Sequence, residues 1–197
     1  MANSPHPFEQ TVIQIAAAVV QKLNDHMKCS PSTEVCGILL GKKAAGGTQI
    51  HSYRRLRNVA PDPLHHFQLH PSDWIKCCYE QHELIGLFHS HPYTAPVPSQ
   101  EDIERLSDFA GLISVYVIGS PPTAYAAPGI GLNEPLLPTA TSRYSSDPSL
   151  ASDHNVLDDH SNNIRAYNVI RQYEPGAPDA TPQLSRYDLL SVPLISY

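Results

Sequence analysis

The chain predicts an α/β fold, on three observations. Apolar residues recur at helical spacing in Phe8–Met27, where Val12, Ile15, Ala16, Val19, Val20 and Leu23 form one stripe. Short apolar runs of strand length alternate with such helical segments along the first two-thirds of the chain, the clearest being Leu84-Ile85-Gly86-Leu87-Phe88. The 197 residues are 41% hydrophobic, enough for one domain with a proper core and too apolar for a disordered chain.

The elements follow in order. Pro5 and Pro7 leave a short frayed start before the helix of residues 8–27. Glu34 to Leu40 reads as a buried strand, Lys42 to Gly47 as a turn, and Thr48 to Val59 as the returning strand. Residues 60–70 are loop. Pro71-Ser72-Asp73 opens a helix to about His82, with Pro71 at or just before the first turn, where its missing N–H costs nothing. The strand ending at His89 comes next. A helix then starts at Ser99-Gln100-Glu101-Asp102, with Ile103, Leu106, Phe109 and Ala110 as its apolar positions, and a strand spans Leu112 to Gly119. Residues 121–163 carry six prolines among Ser, Thr, Ala and Asp, with little periodicity. They read as an insertion within a single domain of residues 1–197. A strand over Ile164–Tyr173 returns to the core, and Leu189, Leu190, Val192 and Leu194 mark a closing segment.

The chemistry concentrates at His89-Ser90-His91-Pro92, followed by Ser99 and Asp102: H-x-H, seven residues, S, two residues, D. Residues two apart on a strand face the same side, so both imidazoles can reach one metal. A ligand in the first turn of the next helix can swing back toward the strand end. Ser99-x-x-Asp102 also has the pattern of a helix cap, with an acid where the dipole favours negative charge. The two readings are compatible if Ser99 starts the helix and Asp102 binds metal. With Glu34 upstream, the chain holds the inventory of a hydrolytic zinc site: three protein ligands, one open position for water, and a base to take its proton.

Glu34, His89, His91, Ser99 and Asp102 together resemble the JAMM (MPN-plus) metalloprotease motif of the Mov34/PAD-1-like family, bacterial type, over the first two-thirds of the chain. The resemblance implies a cytidine-deaminase-like fold, with a mixed central sheet flanked by helices. It implies one Zn2+ per chain on His89, His91 and Asp102, with Glu34 as general base and Ser99 as a hydrogen-bond donor to the developing oxyanion. It also implies a peptidase or isopeptidase acting on the C-terminal tail of a ubiquitin-like or sulfur-carrier protein. A strand edge near the site would pair with that tail by β-addition. The alternative is an inactive MPN scaffold that assembles partners. Such scaffolds usually lack some ligands, and here every ligand is present.

A net charge of −6 and a pI near 5.9 give no basic footprint for nucleic acid. No apolar run is long enough to span a bilayer. Thr11–Val20 lacks the basic flank and cleavage site of a signal peptide, and the expected compartment is the cytoplasm. Cys29, Cys36, Cys77 and Cys78 make no C-x-x-C pair, which favours reduced thiols with Cys36 as a small core residue. His65, His66 and His70 have no carboxylate or cysteine at ligand spacing and read as solvated loop histidines.

Overall fold

A computed structural model describes residues 12–109, 111–121, 163–174 and 183–197. The predicted insertion, apart from its end residues Pro121 and Asn163, lies outside the described residues, as do residues 8–11 of the first expected helix.

The described residues build a mixed sheet of eight strands in the order β7-β6-β5-β4-β2-β3-β1-β8. The strands are β1 (Val12–Ile15), β2 (Cys36–Ala44), β3 (Gly47–Leu56), β4 (Leu84–Ser90), β5 (Val115–Gly119), β6 (Ile164–Glu174), β7 (Gln183–Val192) and β8 (Leu194–Ser196). The pairs β4–β5, β1–β3 and β1–β8 are parallel and the rest antiparallel. Helix α1 (Ala17–Cys29) covers one face, and α2 (Pro71–Glu80) and the short α3 (Gln100–Glu104), continued by a 3-10 turn at Arg105–Asp108, cover the other.

The expected helix over 8–27 is corrected at its start. Residues 12–15 form β1, and the helix begins at Ala17. Val12-Ile13-Gln14-Ile15 is β-branched at three of four positions, and Ile13 and Ile15 alternate into the core while the backbone pairs with β3 and β8. From Val19 onward the helical stripe stands, with Val19, Leu23 and Met27 buried. The strand expected from Glu34 is β2 and starts at Cys36, so Glu34 sits just before it, and the hairpin turn tightens to Ala45-Gly46. Gly46 and Gly47 both take positive φ there, and a Cβ on Gly47 would collide with the Val12 carbonyl.

Alternation along β5 divides the core. Val115 and Val117 join the α1 side with Phe88 and Leu39, while Tyr116 and Ile118 join the other side with Leu87, Leu106 and Phe109. All four cysteines are free, and Cys36 is fully buried. β4 is hydrogen-bonded on both sides, to β2 and to β5. Among the described residues the sheet's outer strands are β7 and β8, so the expected β-addition beside the site cannot use an edge of β4. Among the described residues no helix is long and apolar enough to cross a membrane.

Candidate metal centre

The site forms where the C-terminal end of β4 meets the first turn of α3. His89 is the penultimate residue of β4 and His91 follows the strand, its N–H donating to Gly119 O at 2.8 Å. The loop between His91 and α3 is pinned from below: Ser120 Oγ donates to Thr94 O at 2.6 Å and Tyr167 Oη to Pro96 O at 2.9 Å. At the helix start both readings of Ser99-x-x-Asp102 hold geometrically. Asp102 N donates to Ser99 Oγ at 3.1 Å, and Ser99 N and Oγ each donate to Asp102 Oδ2 at 2.7 Å. That capping box turns the Asp102 carboxylate toward the two rings.

Three buried ligand atoms converge. His89 Nε2 lies 2.9 Å from His91 Nε2 and 3.2 Å from Asp102 Oδ1, and His91 Nε2 lies 3.5 Å from Asp102 Oδ2. His91 Nδ1 is 2.9 Å from Ala95 O, which can only accept, so Nδ1 carries a proton and Nε2 is the nitrogen turned toward the cluster. His89 Nδ1 is buried without a partner, and its ring is held instead by Phe67, stacked at 4.7 Å, and Tyr116 at 5.3 Å. His89 Nε2, His91 Nε2 and an Asp102 carboxylate oxygen are thus three buried atoms that one dication could take as ligands. The separations also match the edge of about 3.3 Å that a tetrahedral set of ligands with bonds near 2.0–2.2 Å requires. The residues fit zinc, with the remaining nitrogen of His91 on a backbone carbonyl as metal-binding histidines generally have it.

Electrostatics agree with this donor set. Burial pushes the His89 pKa down, keeping the ring neutral. Burial opposes ionisation of Asp102, but hydrogen bonds from His89, His91 and Ser99 hold it well below the usual carboxylate range. Burial pushes Glu34 up to about 8, reinforced by the negative charges of Asp102 and Glu101 and opposed by His91 and Arg105. Glu34 lines a cleft of about 270 Å³ together with His91, Ser99 and Asp102. Its backbone is fixed from two directions, N–H to Pro63 O at 2.6 Å and C=O from Asn58 Nδ2 at 2.9 Å.

Several residues of the site were not singled out in the sequence. Asn58 uses both ends of its amide, Nδ2 to Glu34 O and His66 O, and Oδ1 from Ala60 N and Gln68 N, joining the base to the cleft wall. Ser90, between the two histidines, accepts from Val35 N through Oγ and donates its own N–H to Val35 O, which fixes Glu34 relative to β4. Tyr116 Oη donates to Asp102 Oδ1 at 3.3 Å. Tyr116 was visible only as an alternate position of an apolar strand, and nothing in the sequence marks Asn58. Of the loop histidines, His65 and His66 line the cleft, paired with Asp62 and Glu101 at 2.8 and 2.7 Å, while His70 sits by Asp73 outside it.

A mixed sheet that delivers two imidazoles from a strand end and a carboxylate from the next helix defines an α/β protein with a candidate metal site. The chain matches the family described as prokaryotic homologs of the JAB domain over residues 16–128, more than half its length, and it belongs to that family. It is 35% identical over 81 residues to a desampylase of Pyrococcus furiosus, covering 39% of this chain and 54% of that protein. It is 35% identical over 95 residues to a desampylase of Haloferax volcanii, covering 46% and 65%. The chain thus matches between about half and two-thirds of these relatives' lengths. A solution structure of a protein from Desulfitobacterium hafniense shares the fold at a TM-score of 0.52 and 18% identity, over 92% of each chain.

Proposed function

We infer that this protein is a zinc metallopeptidase that hydrolyses peptide or isopeptide bonds at the C-terminal tail of a ubiquitin-like or sulfur-carrier protein. The observation that carries this reading is the convergence of His89 Nε2, His91 Nε2 and the Asp102 carboxylate beside a cleft lined by Glu34. Kinship with desampylases supports the substrate class. The completeness of the donor set speaks against a purely scaffolding role.

His89, His91 and Asp102 would hold one zinc. When bound, the metal supplies a water of pKa near ~7 and polarises the substrate carbonyl. Glu34 takes the water's proton and passes it to the leaving amine. Burial raises its pKa to about 8, which strengthens its hold on the proton it takes. Ser99 holds the Asp102 carboxylate through its hydroxyl, and rotation about its Cα–Cβ bond turns the same O–H toward the developing oxyanion. The cleft of about 270 Å³, walled by Leu64–Phe67 and the His91–Ser99 loop, admits an extended tail and excludes a folded domain.

In the same reading the chain is one domain, interrupted at 121–163 by an insertion between β5 and β6, and acts in the cytoplasm without nucleic acid or membrane. The test is incubation with ubiquitin-like proteins bearing either a linear C-terminal extension or a lysine-linked adduct, followed by mass spectrometry of the products. Cleavage after the tail in a zinc-loaded sample supports the reading. Intact substrates of both kinds, with zinc bound, overturn it in favour of the scaffold.

A further inference from the structure

A histidine that binds a metal ordinarily donates its other ring nitrogen to a carboxylate, a carbonyl or water, and that bond orients the ring. His91 follows the rule through Ala95 O. His89 departs from it: its Nδ1 is buried and meets no hydrogen-bond partner among the described residues. Rotation of an imidazole about its Cβ–Cγ bond is soft, because that torsion has broad minima. The plane of the His89 ring must therefore be set by packing. Phe67 lies against it, with ring centroids 4.7 Å apart and planes 22° from parallel. Tyr116 is further off and tilted, at 5.3 Å and 57°.

Phe67 is itself anchored. Arg105 Nη1 donates to Phe67 O at 2.7 Å, and the guanidinium carbon stands 5.7 Å from the centre of the Phe67 ring. Its chain neighbours are tied as well, His66 to Glu101 at 2.7 Å and Gln68 N to Asn58 Oδ1 at 2.9 Å. Phe109 stacks on the same ring at 6.3 Å. Glu101 and Arg105 sit on either side of Asp102 in α3 and its 3-10 continuation. The segment that delivers the third ligand thus also anchors the ring packed on the first. We propose that Phe67 is the positioning residue of the His89 ligand: its ring face stands in for the missing hydrogen-bond acceptor, and Arg105 locks it in place. The inference rests on the zinc reading of the site. An imidazole carrying a dication is more positive than a free one, so the negative face of the Phe67 ring favours the loaded form over the empty one.

The test is the zinc affinity of the folded full chain, by competition with a chromogenic chelator, with thermal unfolding of the metal-free protein recorded separately. Phe67→Leu keeps an apolar side chain and removes the ring face. It should bind zinc about tenfold more weakly, the lower end of the ~10–100-fold range for loss of a ligand's orienting partner. Phe67→Tyr keeps the face and should bind as wild type does. Arg105→Met removes a partly exposed cation, a change that by charge alone would tighten the hold on a dication. It should instead weaken zinc binding, and it decides the matter if Phe67→Leu does not fold. A Phe67 that serves only the core would lower the unfolding temperature of Phe67→Leu and leave the zinc constant unchanged. That result overturns the proposal, as do equal losses in the Leu and Tyr variants, or wild-type or tighter binding by Arg105→Met. A wild type that takes up no zinc is a separate failure, which removes the metal reading and the proposal with it.

Discussion

Replacing Tyr116 by phenylalanine should weaken zinc binding about tenfold while leaving the fold intact. Tyr116 is fully buried on β5, and its hydroxyl has one partner, Asp102 Oδ1, at 3.3 Å; the same oxygen stands 3.2 Å from His89 Nε2. A hydrogen bond to a charged acceptor contributes about 1.5–3 kcal/mol, and the long O···O separation puts this one at the low end. About 1.4 kcal/mol corresponds to a tenfold change in an equilibrium constant, the lower end of the ~10–100-fold range seen when a partner of a metal ligand is removed. The loss stays moderate because Ser99 still holds Asp102 Oδ2 through two bonds, and the phenyl ring preserves the packing against His89. Competition with a chromogenic zinc chelator measures the change, and thermal unfolding of the metal-free protein checks the fold. Unchanged affinity would mean that the Tyr116 hydroxyl does not orient Asp102. A loss much beyond ~100-fold would mean that the ring, rather than the hydroxyl, was disturbed.

Glu34→Gln should keep the fold and the zinc while lowering turnover ~10²–10⁴-fold, as loss of a general base does; wild-type kcat with zinc bound would remove Glu34 from that role. Stability should fall on acidification through His26. Burial depresses this ring from 6.5 to about 4, and Tyr53 Oη lies 2.7 Å from its Nδ1. The unfolded chain therefore takes up the proton first, so the contribution is complete above pH ~6.5 and is lost as the pH falls toward ~4. Discounted for partial exposure it is worth about 1–2 kcal/mol, and urea melts of His26→Gln against wild type should converge across that window. Replacing residues 122–162 by a short Gly/Ser linker should give a folded, zinc-loaded protein with altered choice among protein substrates and unaltered cleavage of small peptides. The flanking residues already meet, Ser120 N donating to Asn163 O at 2.6 Å, and closure entropy varies slowly with loop length, by less than ~2 kcal/mol here. An unfolded or zinc-free product would put the segment in the core.

The candidate site was legible because its ligands are local in sequence. A strand end, a loop and a helix start within fourteen residues bring His89, His91 and Asp102 together. The groups that orient them come from far away, Tyr116 from the next strand and Asn58 from the loop after β3, and pairing at that distance leaves no local mark. The same reason hid β1. Val12-Ile13-Gln14-Ile15 satisfies both a helical and a strand period, and the choice is made by β3 and by β8, whose Leu194 pairs with Ile13 from the far end of the chain. It also hid the neighbours of β4, since a buried apolar run announces a strand but not which strands flank it.

The most direct test of the account is the zinc content of the purified Asp102→Ala protein beside wild type, by elemental analysis with circular dichroism to verify the fold. The convergent ligand set predicts one zinc per wild-type chain and none in the folded variant, since removal of one ligand leaves two where a catalytic zinc requires three. A folded Asp102→Ala protein that retains a full equivalent of zinc would contradict it.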